Sequence, residues 1–97
     1  MRIRVTPGKM QPGKMGEANA IMREAFAAYG EAGGFLGGYV GGDDASGDGY
    51  VVTLWESDEA ARAGSERARP ILARLAAVSA DGAAPTPPPS FEVLVQA

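Results

Sequence analysis

The chain has 97 residues, 45% apolar and 22% charged, with a formal net charge of −3; this is an ordinary globular composition without the basic stripe of a nucleic-acid binder. It contains neither cysteine nor histidine, which excludes disulfide scaffolds, thiol catalysis, thiolate and histidine metal sites, Ser-His-Asp triads and histidine-ligated haem. No apolar run approaches the roughly 18 to 20 residues of a membrane span, and MRIRVTP lacks a signal-peptide core, so a single cytoplasmic domain over residues 1–97 is expected.

Residues 2–6, RIRVT, read as a strand closed by Pro7-Gly8, with Ile3 and Val5 on one side and Arg2 and Arg4 on the other. Residues 14–31 read as a helix. Met15, Ala18, Met22, Ala25, Phe26 and Tyr29 share one face, Glu17, Glu24 and Glu31 lie opposite, and Gly30, Gly33 and Gly34 supply the stop. FLGGYV, 35–40, reads as a strand weakened by two glycines, and GGDDASGDG, 41–49, as a hairpin loop. YVVTLW, 50–55, is the clearest strand.

Ser57 is a suitable N-cap for a helix from 58, with Asp58 and Glu59 in its first turn. Gly64-Ser65 and Pro70 predict a break between 64 and 70, since an interior proline costs about 3 kcal/mol. A second piece through about 79 gathers Ala68, Ile71, Leu72, Leu75 and Val78 on one face. ADGAAPTPPPS, 80–90, predicts an extended linker. FEVLVQ, 91–96, predicts a last strand with Phe91, Val93 and Val95 on one face.

Strand, helix, strand, strand, helix, strand is the α+β, ferredoxin-like βαββαβ order: a four-stranded antiparallel sheet with helices on one face. YVVTLW and FLGGYV do not alternate, so both faces of these strands call for cover. The helices cover one; a second copy of the chain, sheet on sheet, is the simplest cover for the other. Arg2 and Arg4 are placed on that outer face, paired with Glu92 or lining a wet rim.

PGKM occurs twice, five residues apart, and Gly8-x-x-x-x-Gly13-Lys14-Met15 imitates a phosphate loop. The chemistry fails: Met15 stands where the magnesium-binding hydroxyl belongs, and Pro12 has no N–H to offer phosphate. The stretch reads as a strand-to-helix connector, its first PGKM adding length. Asp43, Asp44 and Asp48 lack the spacing of a calcium loop and read as a polar hairpin tip, so no metal is expected.

Trp55, Tyr29, Tyr39, Tyr50, Phe26 and Phe35 are core aromatics on the plain reading, or the walls of a cavity between sheet and helices. Asn19 flanks the apolar face beside Phe26. It either lines that cavity and binds a substrate oxygen or is an ordinary surface residue. Arg67 and Arg74, flanking the last helix, lie along its apolar surface or neutralise an anionic ligand.

GFLGGYVG at 34–41 and YVVTLWESDEAARAG at 50–64 resemble the antibiotic biosynthesis monooxygenase superfamily of dimeric α+β barrels. The opening strand, the PGK before the first helix and FEVLV fit the same outline. The resemblance implies a homodimer whose sheets form a barrel and a pocket between each sheet and its helices, with Asn19, Met22, Phe26, Tyr29, Tyr39 and Trp55 as the substrate-pocket residues. It implies a cofactor-independent monooxygenase acting on a small phenolic substrate, with no cofactor and no catalytic base that the sequence identifies. The alternative is a non-catalytic small-molecule-binding or structural barrel. The haem-degrading branch relies on an Asn on the first strand, a Trp in the helix after the third, and an axial His. Residues 2–6 hold no Asn, the comparable helix position falls near Gly64, and no His is present, so haem degradation is not expected.

Overall fold

The computed structural model describes residues 1–97. Its elements are β1 (Arg2–Lys9), α1 (Met15–Ala32), β2 (Phe35–Gly42), β3 (Asp48–Trp55), α2 (Asp58–Ala73), a 3-10 turn (Arg74–Ala77) and β4 (Phe91–Glu92). One antiparallel sheet runs in the order β2-β3-β1-β4, the ferredoxin-like arrangement that the element order predicts. Both helices pack on one of its faces, where the apolar side chains of α1 and α2 meet Trp55.

Strand β1 is inverted relative to the expectation. Arg2, Arg4 and Thr6 stand opposite Trp55, Thr53 and Val51 of β3, and directly opposed residues share a face. Trp55 is only 1% exposed and sits in the core, so the arginines point toward the helices. Ile3 and Val5 point outward with Val52 and Leu54. The inner face tolerates polar groups because the helices meet it partly with small residues, Ala18, Ala25, Ala61 and Ala68, leaving space that the arginines enter. Arg2 is tied to Ser90, donating from Nε to Oγ at 3.1 Å and from Nη2 to the carbonyl at 2.7 Å.

The strand also runs past its predicted end. Pro7, Gly8 and Lys9 pair with Tyr50, Gly49 and Asp48. A proline cannot donate to a ladder, and it is tolerated here because β4 pairs only with Arg2 and Ile3, leaving the other side of β1 open at Pro7. Met10 then donates to the Gly47 carbonyl at 2.7 Å. Gly47 has φ 81°, and a Cβ there would sit 1.9 Å from the Met10 oxygen; only glycine lets the hairpin loop close onto β1.

The first helix follows its predicted face, burying Ala18, Met22, Ala25 and Tyr29 together with Ile21 and Ala28. Its N-cap residue, Lys14, makes no side-chain cap. Asp44 of the β2–β3 loop substitutes: its carboxylate accepts from the Met15 N–H at 3.1 Å and its carbonyl from the Gly13 N–H at 3.2 Å. This satisfies an otherwise orphaned donor at the positive end of the helix.

The second helix does not break. It starts at the Ser57 cap, whose hydroxyl accepts from the Ala60 N–H at 3.0 Å, and continues through Gly64 and Pro70 to Ala73. Pro70 and Glu66 both lie on the exposed side, where water can take up the carbonyl that the missing proline N–H leaves free. Ala61, Gly64, Ala68 and Leu72 meanwhile hold the buried side in place. The predicted last strand is shortened to two residues. Val93 makes one further bond, from its N–H to the Met1 carbonyl at 2.9 Å, and residues 94–97 extend beyond the start of β1 with Leu94 and Val95 almost fully exposed.

Candidate functional site

The inner face of the sheet, α1, α2 and the proline-rich segment line a partly open cavity of about 90 Å³. A single water needs roughly 10–15 Å³ on this measure, so the space corresponds to about six to nine waters. Asn19, Met22 and Tyr29 of α1 and Trp55 of β3 line it.

Two of the expected pocket residues lie elsewhere. Tyr39 pairs with Val52 on the outer face and is 73% exposed: register in the sheet, which an apolar run without alternation leaves undetermined, turns it away. Phe26 lies over Gly38, where a Cβ would come within 3.0 Å of its ring and 2.8 Å of the Val52 carbonyl. From there it packs on Tyr29 and Phe35, ring centroids 5.9 and 5.5 Å away, behind the cavity wall.

The aromatic end of the cavity is built by Trp55. Its ring meets Tyr29 edge-on at 5.0 Å and Phe35 at 5.0 Å, and its indole N–H donates to Thr53 Oγ1 at 2.9 Å. Gly64 makes this placement possible, because a Cβ on it would lie 2.3 Å from the indole Cη2. The glycine that looked like a helix breaker is a seat for the indole. Met10 and Met15, the last residues of the two PGKM copies, both line the cavity and give it adaptable thioether walls. The first copy thus forms the end of β1, and the doubling places a methionine on each side of the turn.

The polar lining is Arg4, Thr6, Asn19, Thr53 and Ser65, without any acidic side chain. Arg4 is 9% exposed. Its Nη1 donates to the Ala61 carbonyl at 3.3 Å and to Ser65 Oγ, while its buried Nε has no acceptor; the buried Asn19 Oδ1 has no donor. Burial pushes the Arg4 guanidinium below its ordinary value, and the Asp58 carboxylate and Tyr29 act in the opposite direction. An arginine starts so high that it stays cationic at neutral pH. Burial also pushes the Tyr29 phenol up, so it stays protonated in the neutral range and is not a base. Arg4 was missed as a pocket residue because alternation along RIRVT separates two sets of side chains without saying which set faces in.

Arg67 and Arg74 do not line the cavity. Arg67 pairs with Glu31 at 2.6 Å and Arg74 with Glu24 at 2.9 Å, tying the end of α2 and the following turn to α1. The hairpin acids are likewise engaged. Asp43 accepts from the Ala45 N–H at 3.1 Å, Asp44 caps α1, and Asp48 pairs with Lys9 at 3.1 Å. No group of three or more acidic side chains is arranged to hold a metal ion, and no helix is long and apolar enough to cross a membrane.

The chain shares its α+β fold with solved structures described as antibiotic biosynthesis monooxygenases. A protein from Chloroflexus aurantiacus described as a candidate antibiotic biosynthesis monooxygenase superposes with a TM-score of 0.72 at 17% identity, covering 99% of this chain and 94% of its own. Rv0793 from Mycobacterium tuberculosis gives 0.74 at 11% identity over 99% and 97%. A MhuD mutant with two manganese protoporphyrin IX bound per active site gives 0.63 at 24% identity over 100% and 98%. These likenesses establish the fold. No family model and no curated protein matches the chain. This chain has no histidine to offer the metal of such a porphyrin.

Proposed function

We propose that the chain is a cytoplasmic homodimer of one-domain subunits whose cavity binds a small phenolic molecule and oxidises it with dioxygen, without a cofactor. The observation that carries this reading is the cavity itself, walled by Trp55, Tyr29 and three methionines and carrying buried polar atoms that nothing in the chain satisfies. An unsatisfied buried acceptor is costly, and a phenolic O–H donating to Asn19 Oδ1 would remove that cost.

In such a reaction the substrate supplies the electrons. A hydroxyanthrone carries a CH2 group activated by its rings. Loss of one proton gives a stabilised carbanion, which reacts with O2. The CH2 becomes C=O, one oxygen atom enters the product, and the other leaves as water with the two hydrogens. Trp55 and Tyr29 orient the ring, and the apolar walls exclude bulk water. Oxygen uptake with hydroxyanthrone-type phenols tests the reading. The expected result is uptake and ketone formation well above the uncatalysed rate, falling about 100-fold in Asn19→Ala or Trp55→Phe if orientation supplies the acceleration. Uptake at the background rate across a broad phenol panel would end the catalytic reading.

A second reading has its own support: no acidic side chain lines the cavity and Tyr29 is not a base, so the site lacks a general base of the usual kind. A non-catalytic small-molecule-binding barrel would bind the same phenols with no oxygen consumed. The dimer is supported by the outer sheet face, where Val5, Tyr39, Tyr50 and Phe91 are exposed alongside Leu36, with Leu94 and Val95 at the free end. Contiguous exposed apolar surface of this kind marks an interaction site.

A further inference from the structure

Nine basic side chains are present in the chain. Six of them, Lys9, Lys14, Arg62, Arg67, Arg69 and Arg74, sit in ion pairs with carboxylates, and all six pairs lie at the surface. Arg4 is the reverse case: nine-tenths buried, with no carboxylate within ion-pair distance. The carboxylate that acts on it, Asp58, is engaged by Arg62 at 2.7 Å and by the Ser90 hydroxyl. A buried guanidinium bonded only to a carbonyl and a hydroxyl, with Asp58 acting on it from beyond ion-pair distance, carries a charge that the fold only partly offsets, and such a charge is unfavourable in the empty protein.

Arg4 also faces two spaces. It lines the aromatic cavity, and it lines a wider groove between α2 and residues 84–87, flanked by Arg62 and Arg69. Pro85 and Pro87 border both. The guanidinium therefore stands where the cavity meets a groove that also carries Glu66, the ion-pair partner of Arg69.

We propose that the cavity is a site for an anionic aromatic ligand, a ring system carrying a carboxylate or an ionised phenol, whose oxygen accepts a hydrogen bond from Arg4 Nε and which enters through the groove between α2 and the proline-rich segment. The inference rests on the aromatic-cavity reading and adds the charge of the ligand to it. Arg4 is then the residue that selects an anion over a neutral ring of the same shape, a charge-assisted bond of the kind guanidinium makes with carboxylates.

The test uses two matched pairs of probes on the full chain: naphthoate against naphthamide for the carboxylate source, and dinitrophenol, ionised at neutral pH, against dinitroaniline for the phenolate source. Binding is read from the indole N–H resonance of Trp55, the single tryptophan of the chain, which lines the cavity. At least one anion binds about tenfold or more tightly than its neutral partner, and the pair that shows the preference identifies the source. Arg4→Gln abolishes the preference, while Arg67→Gln, remote from the cavity, retains it. On the wild-type protein the Arg4 Nε–H resonance shifts with the anion and not with the neutral probe, a readout that stands even if Arg4→Gln fails to fold. Equal binding of both members of each pair, or a preference that survives in folded Arg4→Gln, overturns the anion inference and leaves the aromatic cavity standing. Absence of binding by all four probes overturns both.

Discussion

Gly64 and Trp55 form a matched pair of positions: the large ring at the end of β3 requires the absence of a side chain on α2. Gly64→Ala gains about 1 kcal/mol of intrinsic helix propensity. It also brings a methyl group to 2.3 Å from the indole Cη2. Overpacking of a full core costs about 1–3 kcal/mol, so a lower urea midpoint is predicted, with a changed Trp55 emission because the ring must move. Arg4→Met should act in the opposite sense. It replaces a buried charge that lacks a direct ion pair by an apolar side chain of similar length, and the urea midpoint of the ligand-free protein is predicted to stay level or rise while anion binding disappears. A drop of several kcal/mol would instead assign Arg4 a structural role through Ala61 and Ser65. At this scale the sequence is readable where a helix periodicity pins the face: Asn19, Met22 and Tyr29 all lie on the cavity side of α1. It is silent on the strands, where alternation splits Arg4 from Val5 without orientation and an apolar run such as FLGGYV gives no register for Tyr39.

At the level of the element, the second helix illustrates how packing overrides a local signal. Gly64 and Pro70 are both breakers by propensity, yet one fills a steric requirement and the other lies on the wet side, so neither interrupts α2. The first helix depends on a group far away in sequence. Its end is capped by Asp44 across the β2–β3 loop, a contact that no local pattern around Lys14 reveals. Asp44→Ala is predicted to fray the first turn of α1, seen as faster amide exchange at Met15 and Gly16, and to cost about 1 kcal/mol. Asp58 supplies a pH signature. The Ser90 hydroxyl bonded to its carboxylate, together with Arg62, holds it below the usual carboxylate value. A depressed folded value means that its contribution is present above the unfolded value and is lost as pH falls through the folded one. Wild type and Asp58→Asn should therefore differ in urea midpoint at neutral pH and converge on acidification below about pH 4; a gap that persists at low pH would show that ionisation is not its source.

For the molecule as a whole, the inverted β1 explains two properties at once. Arginine and threonine turned inward make a polar patch in an otherwise apolar cavity, and isoleucine and valine turned outward leave a sheet face that water does not suit. The βαββαβ order was legible because element types follow from periodicity. Which residues face the cavity was not, because that depends on the pairing of β1 with β3. If a second copy covers the outer face, Tyr39→Glu or Val52→Glu should convert a particle of twice the chain mass into one of single mass in light scattering at micromolar concentration. A wild type already of single mass would remove the dimer.

The central claim is that the space between Arg4 and Trp55 is a ligand site. A crystal structure grown with saturating naphthoate tests it most directly. The account predicts ring density against Trp55 and Tyr29 with the carboxylate toward Arg4 Nε. A cavity closed by Met10, Met15 and Met22, with density only on the outer sheet face, would contradict it.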